Sequence, residues 1–209
     1  MRTLSKSKLL AYRQCPKRVW LEVHQPELRQ DSPDSQQRFA AGHRVGAVAQ
    51  RVYDPEGQGT LIDPKVIGYD EALRLTQAHL ASRQPLFEAA FKANGAFAMA
   101  DVLLPDGDAW RMVEIKSATS VKDYHRDDVA VQAYVVKAAG VPISRVALGH
   151  IDSTWVYEGD DRYDGLIVEA DLTDEARARE SEVVAWVQNA QRIVAEPSAP
   201  EVRTGRHCR

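Results

Sequence analysis

Two short apolar runs joined by a turn sequence dominate the middle of this chain, between Gly95 and Ser120. The connecting residues 105–108, Pro-Asp-Gly-Asp, are typical of a tight turn, because proline presets φ and glycine accepts positive φ. The apolar runs on either side have the composition of β-strands. This stretch therefore predicts a β-hairpin.

The predicted hairpin carries charged side chains at strand spacing. Side chains alternate between the faces of a strand, so Glu114 and Lys116 project to one side and Ile115 to the other. If the strands pair in simple register, Asp101 lies near Glu114, and two carboxylates at that distance repel each other unless a cation neutralises them. Carboxylate and carbonyl oxygens are ligands that suit Mg²⁺. The hairpin therefore predicts a divalent-metal site.

Composition excludes several classes of protein. The chain has 209 residues, of which 44% are hydrophobic and 27% charged, which is typical of a globular protein and argues against a disordered or fibrous one. No apolar run reaches the roughly 20 residues of a membrane span, and the N-terminus lacks a secretory signal. We therefore expect a cytoplasmic protein without a membrane partner. The net charge of −3 leaves phosphate binding to local basic patches.

One basic patch lies near the N-terminus. Residues 5–24 are basic and amphipathic, and they predict two helical pieces that meet at Cys15 and Pro16. Lys17 and Arg18 are cations of this segment that could bind phosphate. The alternative is that they form the solvated face of a packed helix.

Hydrophobic periodicity predicts alternating helices and strands along the rest of the chain. After a loop over 25–33, Asp34 or Ser35 caps a helix over 36–53, which a short strand near 60–62 and a helix near 69–82 follow. A strand over 86–91 precedes the hairpin. The remaining predictions are a helix over 121–139, a strand over 144–152 that residues 154–157 extend or pair with, a strand over 166–172, and a helix over 174–195 capped by Thr173.

Two further side chains are candidates for the hairpin site. His43 lies in the first long helix, where an isolated histidine is most simply a satisfied or exposed side chain. Glu88 lies in the strand before the hairpin, where a lone acid usually faces solvent but could reach the same patch. We keep Glu88 as a minor site candidate.

An acid followed about a dozen residues later by Glu-X-Lys resembles the motif of the PD-(D/E)XK nuclease superfamily. The match lies at Asp101 and at Glu114-Ile115-Lys116, with Ala100 in the place of the proline. His43 matches the position of the histidine of the RecB-like branch. Residues 14–18, QCPKR, are similar to the N-terminal cysteine segment of CRISPR-associated RecB-like exonucleases and of uncharacterised bacterial relatives that begin with a similar LSKSK segment.

The resemblance implies an architecture. The fold class is α/β, with a restriction-endonuclease-like αβββαβ core, a mixed central sheet, extra N-terminal helices and a long C-terminal helix. We expect one nuclease-like domain over 1–196, with an N-terminal helical part over 1–55 and a catalytic core over 85–172. Residues 197–209 then form an extended tail.

The resemblance also implies an activity, a metal-dependent DNA nuclease that acts as an exonuclease on single-stranded or unwound ends. Asp101, Glu114 and Lys116 are the expected catalytic residues, and Lys116 stabilises developing charge. Asp101, Glu114, His43 and the Ile115 carbonyl are the expected ligands of Mg²⁺ or Mn²⁺. The expected partners are DNA and either a further domain or repair- or CRISPR-type proteins. The possible substrate contacts are Gln132, Lys122, Arg126, Lys17 and Arg18.

Two features depart from the branch pattern. The branch carries a glutamine followed four residues later by a tyrosine, whereas Gln132 and Tyr134 are two apart and lie on nearly opposite helix faces, so only Gln132 is a site candidate. A [4Fe–4S] cluster needs four thiolates, and this chain offers Cys15 and Cys208. We expect such a cluster only in a longer protein that continues past Cys208. Otherwise Cys15 is a buried small hydrophobe and Cys208 an incidental thiol.

Two other functions are open to the sequence. A nuclease-fold module could bind nucleic acid or a partner without cutting, although a module freed from catalysis has no need of two adjacent carboxylates and a lysine. A small-molecule metal hydrolase would require a second histidine or acid cluster, which is not evident in the sequence.

Overall fold

The computed structural model describes residues 2–30, 32–203 and 205. The helices are α1 (Lys6–Gln14), α2 (Pro16–His24), α3 (Pro33–Tyr53), α4 (Pro64–Ile67), α5 (Tyr69–Leu80), α6 (Asp123–Ala138), α7 (Thr173–Ala178) and α8 (Glu180–Ala195). The strands are β1 (Leu4–Ser5), β2 (Thr60–Leu61), β3 (Leu86–Ala93), β4 (Ala96–Asp106), β5 (Ala109–Lys116), β6 (Ile143–Ile151) and β7 (Ile167–Asp171). Among these described helices, none has both the length and the apolar character needed to cross a bilayer.

All the strands belong to one mixed sheet. The spatial order is β2-β3-β4-β5-β6-β7, and β1 pairs with β4. Strands β3, β4 and β5 are antiparallel neighbours, whereas β6 runs parallel to β5. Because parallel neighbours need a crossover, α6 makes the connection between β5 and β6. The predicted α/β class, with three antiparallel strands, a helix and a parallel strand, is confirmed.

Helices cover both faces of the sheet around the predicted hairpin. On one face, Phe91 and Met112 pack in the main core with Val135 of α6. On the other face, Val102 and Val113 pack with Tyr53 at the end of α3. The middle of the hairpin therefore lies between two apolar layers, whereas its turn residues 105–108 are exposed.

The first long helix begins earlier than predicted. Ser32 is its N-cap, and its hydroxyl accepts a hydrogen bond from the Ser35 N–H at 3.2 Å. Pro33 takes the first helical position, which suits proline because no intrahelical N–H bond is needed there. The prediction that Asp34 or Ser35 caps a helix starting at 36 is therefore wrong.

The C-terminal part also differs from the prediction. The single long helix is two helices, α7 and α8, separated at Arg179, whose backbone has φ −89° and ψ 0°. The Arg179 guanidinium donates to Asp127 of α6 at 2.5 Å, which fixes the break against the core. Residues 154–157 form no strand: a turn ends at Thr154 and residues 155–157 are irregular, with the Trp155 and Tyr157 rings 5.9 Å apart.

Gly59 lies in the connection between α3 and β2, where the chain packs closely against β3 and the residue before it. Its N–H donates to Asp54 Oδ2 at 2.7 Å, and a Cβ at this position would lie 2.8 Å from the Pro85 carbonyl oxygen. We expect Gly59→Ala to lower the free energy of unfolding by about 1–3 kcal/mol through this overlap, measured by urea denaturation.

Gly46→Ala is the matched control. Nothing lies within 4 Å of a Cβ built on Gly46, which is inside α3. This variant should raise the free energy of unfolding by about 0.5–1 kcal/mol, because alanine loses less backbone entropy than glycine in a helix. Equal stabilities of the two variants would contradict the steric explanation.

Candidate active site

The pairing of β4 with β5 brings the two hairpin acids together. Val102 pairs with Val113, and the same register places Asp101 opposite Glu114. The Ile115 N–H donates to Asp101 Oδ2 at 2.8 Å. Asp101 is therefore tied directly to the strand that carries Glu114, as the simple register predicts.

The pairing of β3 with β4 is interrupted at Asp101. The two strands pair regularly on both sides of Glu88 and Asp101, but Glu88 has a left-handed backbone with φ 55°. Residues of β4 change faces across this point, because Ala100 packs in the main core and Val102 packs under α3. Non-glycine residues in left-handed backbone are strained and cluster at functional sites. Glu88 and Asp101 thus lie at the irregular point of the sheet.

Glu114 is the most fully buried charged residue of the hairpin, with 1% of its surface exposed. Its Oε1 accepts hydrogen bonds from Lys116 Nζ at 2.5 Å and from Lys6 Nζ at 2.9 Å. Its Oε2 accepts from Gln132 Nε2 at 2.6 Å. Lys116 and Glu114 therefore share one side of β5, as strand alternation predicts, and three donors fix the carboxylate.

Two residues that the sequence reading did not single out for the site join Glu114 and Lys116. The Lys6 Nζ lies 2.9 Å from Asp128 Oδ1, and Lys116 donates to the other Asp128 oxygen. Asp128 is 5% exposed. In this charge cluster, defined as Lys6, Glu114, Lys116 and Asp128, two cations and two anions alternate and balance. A weak sequence signal for Asp128 is its position four residues before Gln132, which puts both on one helix face.

Burial and neighbouring charges set the protonation of the site. Burial, reinforced by the Glu114 carboxylate, raises the pKa of Asp101 well above its ordinary value. Burial alone would also raise the pKa of Glu114, but the Lys116 and Lys6 ammonium groups outweigh it and lower that pKa. Burial alone would lower the pKa of Lys116, but Glu114 and Asp128 raise it. Lys116 is therefore a cation at neutral pH, which suits charge stabilisation and not proton abstraction.

A cavity of about 770 Å³ lies between the hairpin and α3. Asp101, Glu114 and Lys116 line it from the strands, and His43 lines it from α3. Glu88 also lines it, and burial together with the Glu114 carboxylate raises the pKa of Glu88. The volume lies within the range of roughly 300–1,000 Å³ that is usual for ligand sites. The structure therefore gathers these five side chains around one space.

The donors around the cavity suit a hard divalent cation. Asp101 and Glu114 present carboxylates on adjacent strands, and the repulsion between them adds to burial in raising the pKa of Asp101. Ile115 and His43 line the same cavity. Across residues 2–30, 32–203 and 205, however, no three His, Cys, Asp or Glu side chains already form a metal-holding group. Both oxygens of the Glu114 carboxylate already accept hydrogen bonds, one from Lys6 and Lys116 and the other from Gln132.

The predicted substrate contacts are not among the lining residues of this cavity. Lys17 and Arg18 are exposed on α2, and Arg126 pairs with Glu175 of α7. Gln132 is fully buried and donates to Glu114. The described lining of the cavity includes none of the predicted contacts, whose role in substrate binding stays a prediction; these residues are Gln132, Lys122, Arg126, Lys17 and Arg18. Lys6 and Lys65 are the lining cations that join Lys116 there.

Cys15 and Cys208 are the predicted ligands of an iron–sulfur cluster. Cys15 is 3% exposed and lies at the junction of α1 and α2. Cys208 lies outside the described residues, so the expected pair of cluster ligands stays a prediction.

Tyr134 is 9% exposed in the main core, and its hydroxyl accepts a hydrogen bond from Asn94 at 2.9 Å. Tyr134 is therefore a core residue.

Comparisons with known proteins give distant structural similarities. No family model matches the chain, and no curated protein matches it. The crystal structure of SSO0001 shares 17% sequence identity with a TM-score of 0.42, over 94% of this chain and 78% of that one. An alkaline exonuclease, LHK-Exo from Laribacter hongkongensis, shares 12% identity with a TM-score of 0.37, over 92% of this chain and 90% of that one.

Proposed function

We propose that this protein is a metal-dependent nuclease of the PD-(D/E)XK type, in its RecB-like branch, and that it hydrolyses phosphodiester bonds of DNA from single-stranded or unwound ends. One observation carries the proposal. Asp101 and Glu114 lie opposite each other beside the strained backbone of Glu88, and Lys116 shares their cavity as a partly buried, charged ammonium. Such a combination suits phosphodiester hydrolysis, because negative charge grows on the attacked phosphate.

The chain's own residues have separate parts in this chemistry. Asp101, Glu114, His43 and the Ile115 carbonyl would hold Mg²⁺ or Mn²⁺, which supplies a Lewis acid for water and phosphate. Gln132 fixes one oxygen of Glu114 and so orients the carboxylate. Lys116 faces the cavity and stabilises the charge that develops on the phosphate.

The depth of the site favours an unpaired strand. Glu114 lines the cavity and is 1% exposed, and a flexible single strand can bring a backbone phosphate to such a buried carboxylate more readily than a rigid double helix can. Phe39 and Tyr69 also line the cavity and are 52% and 59% exposed. Aromatic rings in these positions can stack on unpaired bases without regard to sequence.

A cleavage assay tests the proposal. Purified protein is incubated with 5′- and 3′-labelled single-stranded and blunt duplex DNA, with Mg²⁺, Mn²⁺ or EDTA. We expect shortening of the single strands with either metal, slower attack on the duplex, and no cleavage in EDTA. Single strands that stay intact with both metals would overturn the nuclease assignment.

A second candidate function is a nuclease-fold module that binds nucleic acid without cutting it. The observation that favours it is that both Glu114 oxygens are bonded to protein donors, Lys6, Lys116 and Gln132. Tight binding of single-stranded DNA together with intact product bands in the same assay would select this candidate.

A further inference from the structure

Lys6 reaches the candidate active site from the far end of the chain. Leu4 and Ser5 pair with Ala96 and Phe97 as a short parallel strand, at the part of β4 that β5 does not cover. This pairing places Lys6, at the start of α1, beside the end of β5. Its side chain is 20% exposed and its ammonium lies 2.9 Å from both Glu114 and Asp128.

Asp128 reaches the same place from α6. Its side chain is 8% exposed and contacts both ammonium groups, of Lys6 and of Lys116. Glu114, the second acid of the charge cluster, also contacts both lysines. Asp128 does not line the described cavity, so its contacts act on the lysines and not on a ligand in that space.

We propose that Lys6 and Asp128 are positioning residues of this active site: Asp128 holds the two ammonium groups, and Lys6 holds the Glu114 carboxylate in the orientation in which Lys116 also contacts it. This inference rests on the proposed nuclease function. The two residues carry opposite charges, so their removal has opposite effects on a divalent cation at Asp101 and Glu114. Removing Lys6 also frees the Glu114 carboxylate to move, and removing Asp128 frees the Lys116 ammonium group to move.

Measurements of Mn²⁺ affinity and of turnover on the same variants distinguish the effect of the Lys6 charge from that of the Asp128 charge. Lys6→Met removes a cation that competes for Glu114, so we expect Mn²⁺ to bind about tenfold more tightly in calorimetry. Asp128→Asn leaves two ammonium groups with one counter-ion less, so we expect Mn²⁺ to bind about tenfold more weakly. In both variants kcat should fall about tenfold to a hundredfold at saturating metal, because the reacting groups are misplaced.

Lys8→Met is the matched control. Lys8 lies on the same helix and pairs with Glu22 at 3.0 Å, with a side chain 27% exposed, but it does not line the described cavity. This variant should keep wild-type Mn²⁺ affinity and kcat. Lys6→Arg keeps the charge and should restore the wild-type Mn²⁺ affinity. Thermal unfolding of each variant shows whether it folds.

The outcomes separate this inference from the proposed function. A purely structural role would lower Mn²⁺ affinity in both variants, and that result, or unchanged kcat in folded Lys6→Met and Asp128→Asn, would overturn the positioning roles. Wild-type protein that binds Mn²⁺ but leaves DNA intact would overturn the nuclease function. In that case opposite shifts of Mn²⁺ affinity would still support the placement of both charges at the metal site, and parallel shifts would overturn it.

Discussion

Replacing Glu114 with glutamine is expected to lower the rate of metal-dependent DNA cleavage about a thousandfold. Glutamine keeps the shape of the side chain but removes the negative charge that Lys6 and Lys116 share at 2.9 Å and 2.5 Å. The expected metal site then loses one of its two carboxylates. The rate is measured under single-turnover conditions on an end-labelled single strand, so that product release does not mask the loss.

Glu169→Gln provides the control for that prediction. Glu169 is also a partly buried acid in an ion pair, with Arg111, and it accepts a hydrogen bond from the Tyr53 hydroxyl at 2.8 Å. It lies on β7 and does not line the described cavity. We expect its replacement to leave the cleavage rate unchanged. Equal losses in the Glu114 and Glu169 variants would mean that the effect comes from the fold and not from the site.

Asp101→Asn is expected to abolish cleavage and at the same time to raise the free energy of unfolding of the metal-free protein at neutral pH. The pKa of Asp101 is raised in the folded state by burial and by Glu114, so ionising this group opposes folding. Asparagine cannot ionise, yet its side-chain oxygen can still accept the Ile115 N–H bond that Asp101 accepts at 2.8 Å.

The sign of this effect follows from proton binding. Because the folded-state pKa of Asp101 lies above the unfolded one, the folded state holds more protons between the two values, and wild-type stability falls as pH rises through that window. The advantage of Asp101→Asn should therefore be largest at neutral pH and shrink as the pH approaches about 4, the unfolded value. Urea denaturation at several pH values measures it. A variant less stable than wild type at neutral pH would contradict the predicted repulsion.

The hairpin was predictable because its signals are local. Turn residues at 105–108 and alternating side chains between Ala109 and Lys116 specify a tight connection and a shared face for Glu114 and Lys116. The approach of Asp101 to Glu114 follows from the register that this short turn imposes. The helix that carries His43 was predictable from periodicity, but only the packing of α3 on the sheet turns its side chain toward the cavity.

The rest of the site depends on contacts between distant parts of the chain. Lys6 precedes Glu114 by 108 positions, and its role follows from the pairing of two residues, Leu4 and Ser5, with β4. No local pattern distinguishes Lys6 from the other cations of the same helix. The left-handed backbone of Glu88 is likewise a tertiary effect, because glutamate has no preference for it.

The surroundings of the predicted substrate cations likewise depend on contacts made after folding. Arg18 pairs with Glu22 at 2.8 Å, and Arg126 pairs with Glu175, so each cation is neutralised outside the cavity. A count of positive charge along the sequence cannot show which acids will lie nearby after folding. Lys65 lines the cavity although the sequence reading did not select it.

The most direct test of the account is the position of a bound metal. Crystals grown with Mn²⁺ and measured at the manganese absorption edge give an anomalous signal at any ordered ion. We expect a peak between the carboxylates of Asp101 and Glu114, beside the Lys6 and Lys116 ammonium groups. Crystals that bind Mn²⁺ elsewhere, or that keep Glu114 bonded to both lysines with no peak beside Asp101, would contradict a metal-dependent active site at this hairpin.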